Sequence, residues 1–126
     1  MVKQVIKVPT ALPGVPFSPG MKAGDYIFVS GQVGHVDGKG NELKGIEAQT
    51  GQVLENMQNV LKAAGASLSD VVKTTVFLVN ADDFAKMNEV YKSYFDEDYP
   101  ARSTVIVAAL ARPQIIVEIE CIAYRP

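Results

Sequence analysis

The spacing of apolar residues changes several times along the chain, and each change marks a structural element. Polar and apolar residues alternate from Lys3 to Val8, and Tyr26–Val33 is largely apolar, so both segments predict β-strands. Residues 9–20 between them are rich in proline and glycine, which predicts a loop. From Ile46 to Ala64 the apolar residues recur at helical spacing, and Gly65 is a natural helix stop.

The second half of the chain repeats the change from strand to helix. Asp70–Val79 is rich in valine and threonine and predicts a strand, whereas Phe84–Phe95 carries an apolar stripe at helical spacing. Ser103–Leu110 and Ile115–Tyr124 predict two further strands. The predicted order is β-β-α-β-α-β-β, an α+β fold, and residues 1–126 are expected to form a single domain.

The predicted strands are apolar on both faces of the sheet, but the two helices can cover only one face. Helices on one side of a sheet leave its other side exposed, yet Ser103–Leu110 and Asp70–Val79 are largely apolar on both faces. An uncovered apolar sheet face requires a partner. The pattern therefore predicts self-association.

The last predicted strand contains two carboxylates, Glu118 and Glu120, on one face. That face also carries Ile116, Ile122 and Tyr124, and the opposite face carries Ile115, Val117, Ile119, Cys121 and Ala123. Carboxylates in an apolar strand are costly to bury without partners. Either this face is solvated, or one glutamate near an interface has a raised pKa and transfers protons.

Three other polar positions each allow a structural and a functional interpretation. Arg102 is a surface charge or a bidentate clamp for a carboxylate, because the guanidinium fork matches two oxygens. Ser30-Gly31-Gln32 interrupts an apolar strand, which indicates either a bend, or a bulge or ligand pressed against the backbone. Asn88 lies one residue off the apolar stripe of the second helix, where a solvated side chain is common. His35 and Cys121 are assigned to structure.

The composition disfavours several classes of protein. The chain is 48% hydrophobic and 21% charged with a net charge of −2, and it has no basic run of the kind that binds nucleic acid. One histidine and one cysteine argue against a structural zinc site. No apolar stretch reaches the ~20 residues of a membrane span, and the N-terminus lacks the apolar segment of a signal peptide. We expect a cytoplasmic protein with no membrane or nucleic-acid partner.

Four motifs, taken in order, resemble those of the RidA family, also called the YjgF family. They are Ser30-Gly31-Gln32, Lys73-Thr74-Thr75-Val76-Phe77, Pro100-Ala101-Arg102-Ser103-Thr104-Val105 and Val117-Glu118-Ile119-Glu120. Phe84–Phe95, with Asn88, is similar to the family's second helix. The resemblance covers nearly the whole chain. It implies a chorismate-mutase-like sheet backed by two helices, in a homotrimer with a barrel-like core and sites between subunits.

The resemblance also implies a reaction. Members of the RidA type hydrolyse reactive 2-imino and enamine acids, such as 2-aminoacrylate and 2-iminopropanoate, to 2-oxo acids and ammonia. They need no metal and no cofactor. Carried onto this chain, Arg102 would bind the carboxylate of the substrate, and Glu118 would activate the attacking water. Glu120 would be a structural partner.

The substrate-binding residues implied by the resemblance are Phe17, Ser30, Gly31, Asn88 and Thr104. Backbone groups at Gly31 and Thr104 would hold polar atoms of the substrate, while Ser30 and Asn88 would shape the pocket. Phe17 stands where many members have tyrosine, and the loss of that hydroxyl bears on substrate preference. Two other functions stay open: a non-catalytic module that binds a small carboxylate such as a 2-oxo acid, and an endoribonuclease, against which the acidic balance argues.

Overall fold

The computed structural model describes residues 2–9 and 11–126. Within these residues, six strands form one mixed sheet that is accompanied by two α-helices. The elements in chain order are β1 Lys3–Ile6, β2 Gly20–Ala23, β3 Tyr26–Val33, α1 Ile46–Ala63, β4 Val71–Leu78, α2 Phe84–Tyr94, β5 Ala101–Ile106 and β6 Val117–Tyr124. The chain matches the predicted sheet backed by helices.

The order of the strands across the sheet is β1-β2-β3-β6-β4-β5. Neighbouring strands are antiparallel except β4 and β5, which are parallel. Parallel neighbours need a crossover connection, and α2 supplies it. As a result, β5 forms one edge of the sheet, next to α2.

Both helices pack on the same face of the sheet, where they bury their apolar stripes. The buried side chains of this core include Ile27, Val53, Leu54, Met57, Leu61, Val76, Leu78, Met87, Val117 and Ile119. Full burial of each large apolar side chain contributes about 1.5–3 kcal/mol to the stability of the fold. The predicted core face of β6 is confirmed, because Val117, Ile119, Cys121 and Ala123 are all buried.

The opposite face of the sheet is uncovered by any helix in the described part of the chain. Tyr26, Phe28, Val105 and Tyr124 lie there, and each is more than 40% exposed. The Tyr26 and Tyr124 rings pack on each other with their centroids 5.2 Å apart. The predicted apolar face without a covering layer is therefore present.

The start of the chain differs from the prediction. Residues 9–20 were expected to form a loop up to the next strand, but Gly20–Ala23 is a strand that pairs with both β1 and β3. It has only four residues and begins at a glycine after Pro19, so the sequence shows no alternation there. The observed order is β-β-β-α-β-α-β-β, one strand more than predicted.

Other strand boundaries shift as well, because pairing partners limit them. The strand predicted for Ser103–Leu110 begins earlier, at Ala101, and ends at Ile106, which pairs with the last residue of β4, Leu78. The first predicted strand ends at Ile6 rather than Val8. The last begins at Val117 rather than Ile115.

Gln49 on α1 ties the segment before β6 to the helix layer. It is 2% exposed, and its Nε2 donates hydrogen bonds to the carbonyl oxygens of Leu43, at 3.0 Å, and Gln114, at 2.8 Å. Its Oε1 accepts a hydrogen bond from the backbone N–H of Ile116 at 3.1 Å. This buried and fully bonded amide fixes the chain two residues before Glu118.

Candidate active site

A bulge in β3 presents Ser30 and Gly31. The pairing register of β3 with β6 shifts between Val29 and Gln32, so of the interpretations that the glycine left open the structure shows a bulge. The Ser30 hydroxyl donates a hydrogen bond of 2.6 Å to the carbonyl oxygen of Ser18. The bulge is therefore anchored to the end of the N-terminal loop.

The Glu118 carboxylate lies directly against this bulge. A Cβ added at Gly31 would overlap Glu118 Oε2 and lie 2.9 Å from the Glu118 carboxyl carbon. The carboxylate thus fills the space that a side chain at position 31 would take. Ser30, Gly31 and Glu118 are called the glutamate cluster below.

The environment of Glu118 disfavours its charged form. Burial raises the pKa of the Glu118 carboxyl above its usual 4.5, and the nearby charge of Glu120 adds to the effect. Neither glutamate forms an ion pair with any residue in the ranges that the structure describes. This environment agrees with the interpretation of a glutamate with a raised pKa, and its role in proton transfer stays a prediction.

Arg102 is held by aromatic rings rather than by an acid. It pairs with Thr74 of β4, and its guanidinium carbon lies 4.8 Å from the ring centroid of Tyr91 and 5.8 Å from that of Phe84. No carboxylate within residues 2–9 and 11–126 forms an ion pair with it. Its N–H donors are thus available to an anion.

The guanidinium lines a cleft of about 360 Å³ between α2 and the segment that leads into β5. This arginine cleft is lined by Asn88, Glu89, Tyr91, Lys92, Tyr99, Pro100 and Arg102. Asn88 Oδ1 is buried and has no hydrogen-bond partner among the described residues. Such an acceptor favours a ligand with an N–H or O–H group.

The arginine cleft and the glutamate cluster lie on opposite faces of the sheet. Arg102 points towards the rings of α2, whereas Glu118 belongs to the uncovered face. Two strand spacings and three residues of register separate them, which places their Cα atoms roughly 14 Å apart. One small ligand cannot contact both side chains of the same chain.

The remaining predicted residues fall into these two groups. Phe17, which is 62% exposed, directly precedes Ser18, whose carbonyl oxygen accepts the hydrogen bond from Ser30 of the glutamate cluster. Thr104 is two residues beyond Arg102 and lies on the same face of β5, where it pairs with Val76. The site residues predicted from the sequence are thus brought into two half-sites rather than one.

The sequence did not point to the residues that hold Arg102. Tyr91 falls within the apolar stripe predicted for the second helix and Thr74 within one of the four family motifs, but neither pattern marks a contact with Arg102. The Tyr91 hydroxyl lies 2.7 Å from Thr74 Oγ1, and both side chains are buried. A tyrosine inside an apolar stripe, whose hydroxyl needs a partner, was the available signal.

Cys121 has the structural role that its position predicted. Burial, with a smaller contribution from the charge of Glu120, raises the pKa of its thiol to about 12. A thiol with this pKa stays protonated and is a poor nucleophile at neutral pH.

Two other kinds of feature are absent from the described residues. In residues 2–9 and 11–126, no group of three or more histidine, cysteine, aspartate or glutamate side chains is arranged to hold a metal ion. No helix there has both the length and the apolar character to cross a membrane.

Comparison with known proteins places this arrangement in a family. Residues 8–125 match the family described as Endoribonuclease L-PSP, which is nearly the whole chain. The chain belongs to the RidA (YjgF) family. The RidA fold implied by the sequence motifs is thereby confirmed.

Relatives within the RidA family include a protein named as a deaminase. A RutC family protein from Pyrococcus horikoshii is 51% identical over 112 residues, 87% of each chain. The human 2-iminobutanoate/2-iminopropanoate deaminase is 40% identical over 126 residues, 98% of this chain and 90% of that one. The crystal structure of the YjgF gene product from Escherichia coli has a TM-score of 0.87 at 38% identity and covers 98% and 99% of the two chains.

The raised pKa of Glu118 predicts a specific pH dependence. Glu120→Gln should lower the Glu118 pKa but leave it above 4.5, because burial is the larger cause. A carboxyl whose pKa is higher in the folded state contributes stability below its unfolded pKa, and this stability is lost as the pH rises through the folded pKa. Glu118→Gln should therefore stabilise the protein more at pH 7 than at pH 4.

Carboxyl NMR titration and urea unfolding at the two pH values measure these effects. Glu42→Gln, at an exposed position outside the helices, controls for the loss of one negative charge. An equal change in the free energy of unfolding at both pH values would contradict the prediction.

A second prediction concerns the contact between Gly31 and Glu118. Gly31→Ala should force the Glu118 carboxylate out of its position, since the new Cβ overlaps Oε2. Gly38→Ala is the matched control, because its Cβ would have no heavy atom within 4 Å. Crystal structures of the two variants provide the test. An unchanged Glu118 rotamer in Gly31→Ala would show that the backbone absorbs the overlap instead.

Proposed function

We propose that this chain hydrolyses reactive 2-imino and enamine acids to 2-oxo acids and ammonia, at sites shared between subunits of a homotrimer. The observation that carries the proposal is the guanidinium of Arg102, which is held in a cleft without an acidic partner in the described chain. Membership of a family with relatives named as deaminases supports the reaction type.

Arg102 recognises the substrate through its carboxylate. The guanidinium fork donates two parallel hydrogen bonds to the two carboxylate oxygens, which fixes both the position and the orientation of a 2-imino acid. The imine carbon, adjacent to the carboxylate, is then held a short distance from the clamp. Asn88 Oδ1 accepts a hydrogen bond from the substrate, and backbone groups at Thr104 form hydrogen bonds with its remaining polar atoms.

Glu118 serves as the base for the attacking water. Water adds its oxygen to the imine carbon and passes a proton to the carboxylate, and the electrons of the C=N bond move to nitrogen. The proton returns to nitrogen, which gives a carbinolamine with a hydroxyl and an amino group on the same carbon. Glu118 then takes the hydroxyl proton and passes it to the amino nitrogen, so that the C–N bond breaks, ammonia leaves, and the hydroxyl oxygen becomes the carbonyl oxygen of the 2-oxo acid. A raised pKa brings the carboxyl closer to the operating pH, where a base that also returns the proton is most effective.

The two faces of the sheet support a site shared between two chains. The glutamate cluster of one subunit faces outward on the uncovered face, and the arginine cleft of another can meet it only across an interface. Exposed aromatic and aliphatic side chains on that face provide the apolar area for association. Phe17, exposed next to Ser18, would then contact the substrate and contribute to specificity.

The same half-sites also fit a module that binds a small carboxylate without turnover. The absence of a tyrosine hydroxyl at Phe17 favours this second candidate, because one expected hydrogen-bond donor is missing. An endoribonuclease fits less well. The acidic loop Asp96-Glu97-Asp98 precedes Tyr99 and Pro100 of the arginine cleft and would repel phosphates.

A coupled assay tests the reaction. A pyridoxal-phosphate dehydratase generates 2-aminoacrylate from serine or 2-aminocrotonate from threonine, and the chain should accelerate formation of the 2-oxo acid. Arg102→Ala should lower kcat/KM by about 10²-fold or more, because two charge-assisted hydrogen bonds are lost. Glu118→Gln should lower kcat by about 10²–10⁴-fold.

Arg112→Ala, an exposed arginine in the loop before β6, is the matched control and should keep full activity. Retained activity in Arg102→Ala would refute the clamp. Binding of 2-oxobutanoate without any acceleration by the wild-type chain would favour the binding module.

Mixing two inactive variants tests the shared site. Co-expressed Arg102→Ala and Glu118→Gln chains assemble at random, so about a quarter of the interfaces combine an intact arginine with an intact glutamate. The mixture should recover up to about a quarter of wild-type activity on this symmetry argument. A mixture as inactive as its parents would place both residues of each site in one chain.

A further inference from the structure

The position of Arg102 depends on aromatic rings, since no acid in the described chain holds it. Its guanidinium carbon lies 4.8 Å from the Tyr91 centroid, well within the distance of a cation–π contact, and 5.8 Å from Phe84, near the limit. A guanidinium stacked on a ring uses its flat face, so its N–H donors remain free in the plane. Tyr91 therefore restrains the arginine without competing for its donors.

Tyr91 is itself fixed from two sides. It is 3% exposed, and its hydroxyl lies 2.7 Å from the Oγ1 of Thr74, which is fully buried. The Phe95 ring packs on the Tyr91 ring with their centroids 4.7 Å apart. The ring thus has little freedom to move away from the guanidinium.

Thr74 closes the arrangement, because it is the pairing neighbour of Arg102 across β4 and β5. The backbone of Arg102 is set by the strand that carries Thr74, Thr74 holds the Tyr91 hydroxyl, and the Tyr91 ring holds the Arg102 side chain. Both ends of a long, flexible side chain are thereby restrained by neighbouring elements. A charged group that is fixed before the ligand arrives loses less entropy on binding.

The hydroxyl of Tyr91 also stays neutral next to the cation. Burial raises the pKa of this hydroxyl, which opposes ionisation despite the nearby positive charge of Arg102. A phenolate at this place would compete with a ligand carboxylate for the guanidinium. The neutral hydroxyl anchors the ring and does not compete with a ligand carboxylate for the guanidinium.

Another tyrosine on the same helix provides a contrast. The Tyr94 hydroxyl has two acceptors for its one hydrogen, Glu55 Oε1 at 3.0 Å and the carbonyl oxygen of Gly51 at 3.3 Å, and both lie on α1, so it ties α2 to α1. Within the described residues, the Tyr94 ring makes no cation–π contact with Arg102. Loss of its hydroxyl disturbs α2 without touching the arginine.

From these contacts we infer that Tyr91 is a positioning residue for the carboxylate clamp, with its ring holding the Arg102 guanidinium and Thr74 fixing that ring through the hydroxyl. The inference rests on the proposed function, in which Arg102 binds the substrate carboxylate. It assigns to Tyr91 a role in ligand affinity beyond its role in the core.

The test measures binding of 2-oxobutanoate, a carboxylate product of the proposed reaction, by NMR titration of the assembled protein. Tyr91→Leu should raise the Kd about tenfold through loss of the ring contact. Tyr91→Phe and Thr74→Val should each raise it about threefold, since each breaks the same hydrogen bond, and the double variant should be no weaker than either one. Tyr94→Phe is the matched control and should leave the Kd unchanged.

A double-mutant cycle separates positioning from general destabilisation. In the Arg102→Ala background, adding Tyr91→Leu should cause no further rise in Kd, because there is no guanidinium left to position. A purely structural role would weaken binding by the same factor in both backgrounds, which would overturn the inference. Thermal unfolding and circular dichroism identify variants that fail to fold.

The remaining outcomes distinguish this inference from the proposed function. A wild-type Kd in Tyr91→Leu, together with a large loss of binding in Arg102→Ala, would overturn the role of Tyr91 and leave the clamp intact. Unchanged binding in Arg102→Ala would remove the clamp and the inference with it. Should Tyr91→Leu not fold, wild-type Kd values in both Tyr91→Phe and Thr74→Val would overturn the inference.

Discussion

Side-chain alternation along β-strands governs where this chain can carry out chemistry. Successive strand residues point to opposite faces, and a shift of one residue in register would turn the core of the sheet outward. Moving Glu118 to the helix side would expose Val117 and Ile119, which are fully buried. The placement of Arg102 and Glu118 on opposite faces is thus as firmly determined as the hydrophobic core itself.

The surroundings of the charged group differ between the arginine cleft and the glutamate cluster. Arg102 is surrounded by aromatic faces, which attract a cation without neutralising it. Glu118 is partly buried near a second carboxylate, and both effects favour its protonated form. Each charge is therefore left unpaired in the described part of the chain. Under the proposed function, a substrate whose electrophilic carbon is adjacent to its carboxylate engages both groups only where the two faces meet.

Much of the fold followed from the spacing of residues, and the gaps have physical causes. The helices and the core face of β6 were predicted, because each depends on local periodicity. The glycine in β3 marked an irregular strand, but the sequence did not decide between a bulge and a bend. The strand β2 was missed, because its four residues are defined by partners on both sides rather than by their own pattern. The end of β5 was placed too late, because the length of β4 limits it.

The candidate site was predicted in part for the same reason. Arg102 and Glu118 were singled out as charges in apolar strands, but their separation across the sheet depends on strand order, which the sequence does not display. The aromatic support of Arg102 was missed, because Tyr91 has the spacing of a core residue and its contact with Arg102 joins positions distant in sequence. The roles proposed for Phe17 and Thr104 come from family resemblance.

The missing side chain at Gly31 has an evolutionary consequence. Every other residue has a Cβ, and that atom would overlap the Glu118 carboxylate, so no substitution at position 31 is compatible with the present glutamate geometry. The constraint runs in both directions, because a shorter side chain at position 118 would vacate this space. Lineages that keep the glutamate should keep the glycine, and lineages that lose the glutamate should be free to vary at position 31. Positions 31 and 118 should therefore covary among related sequences.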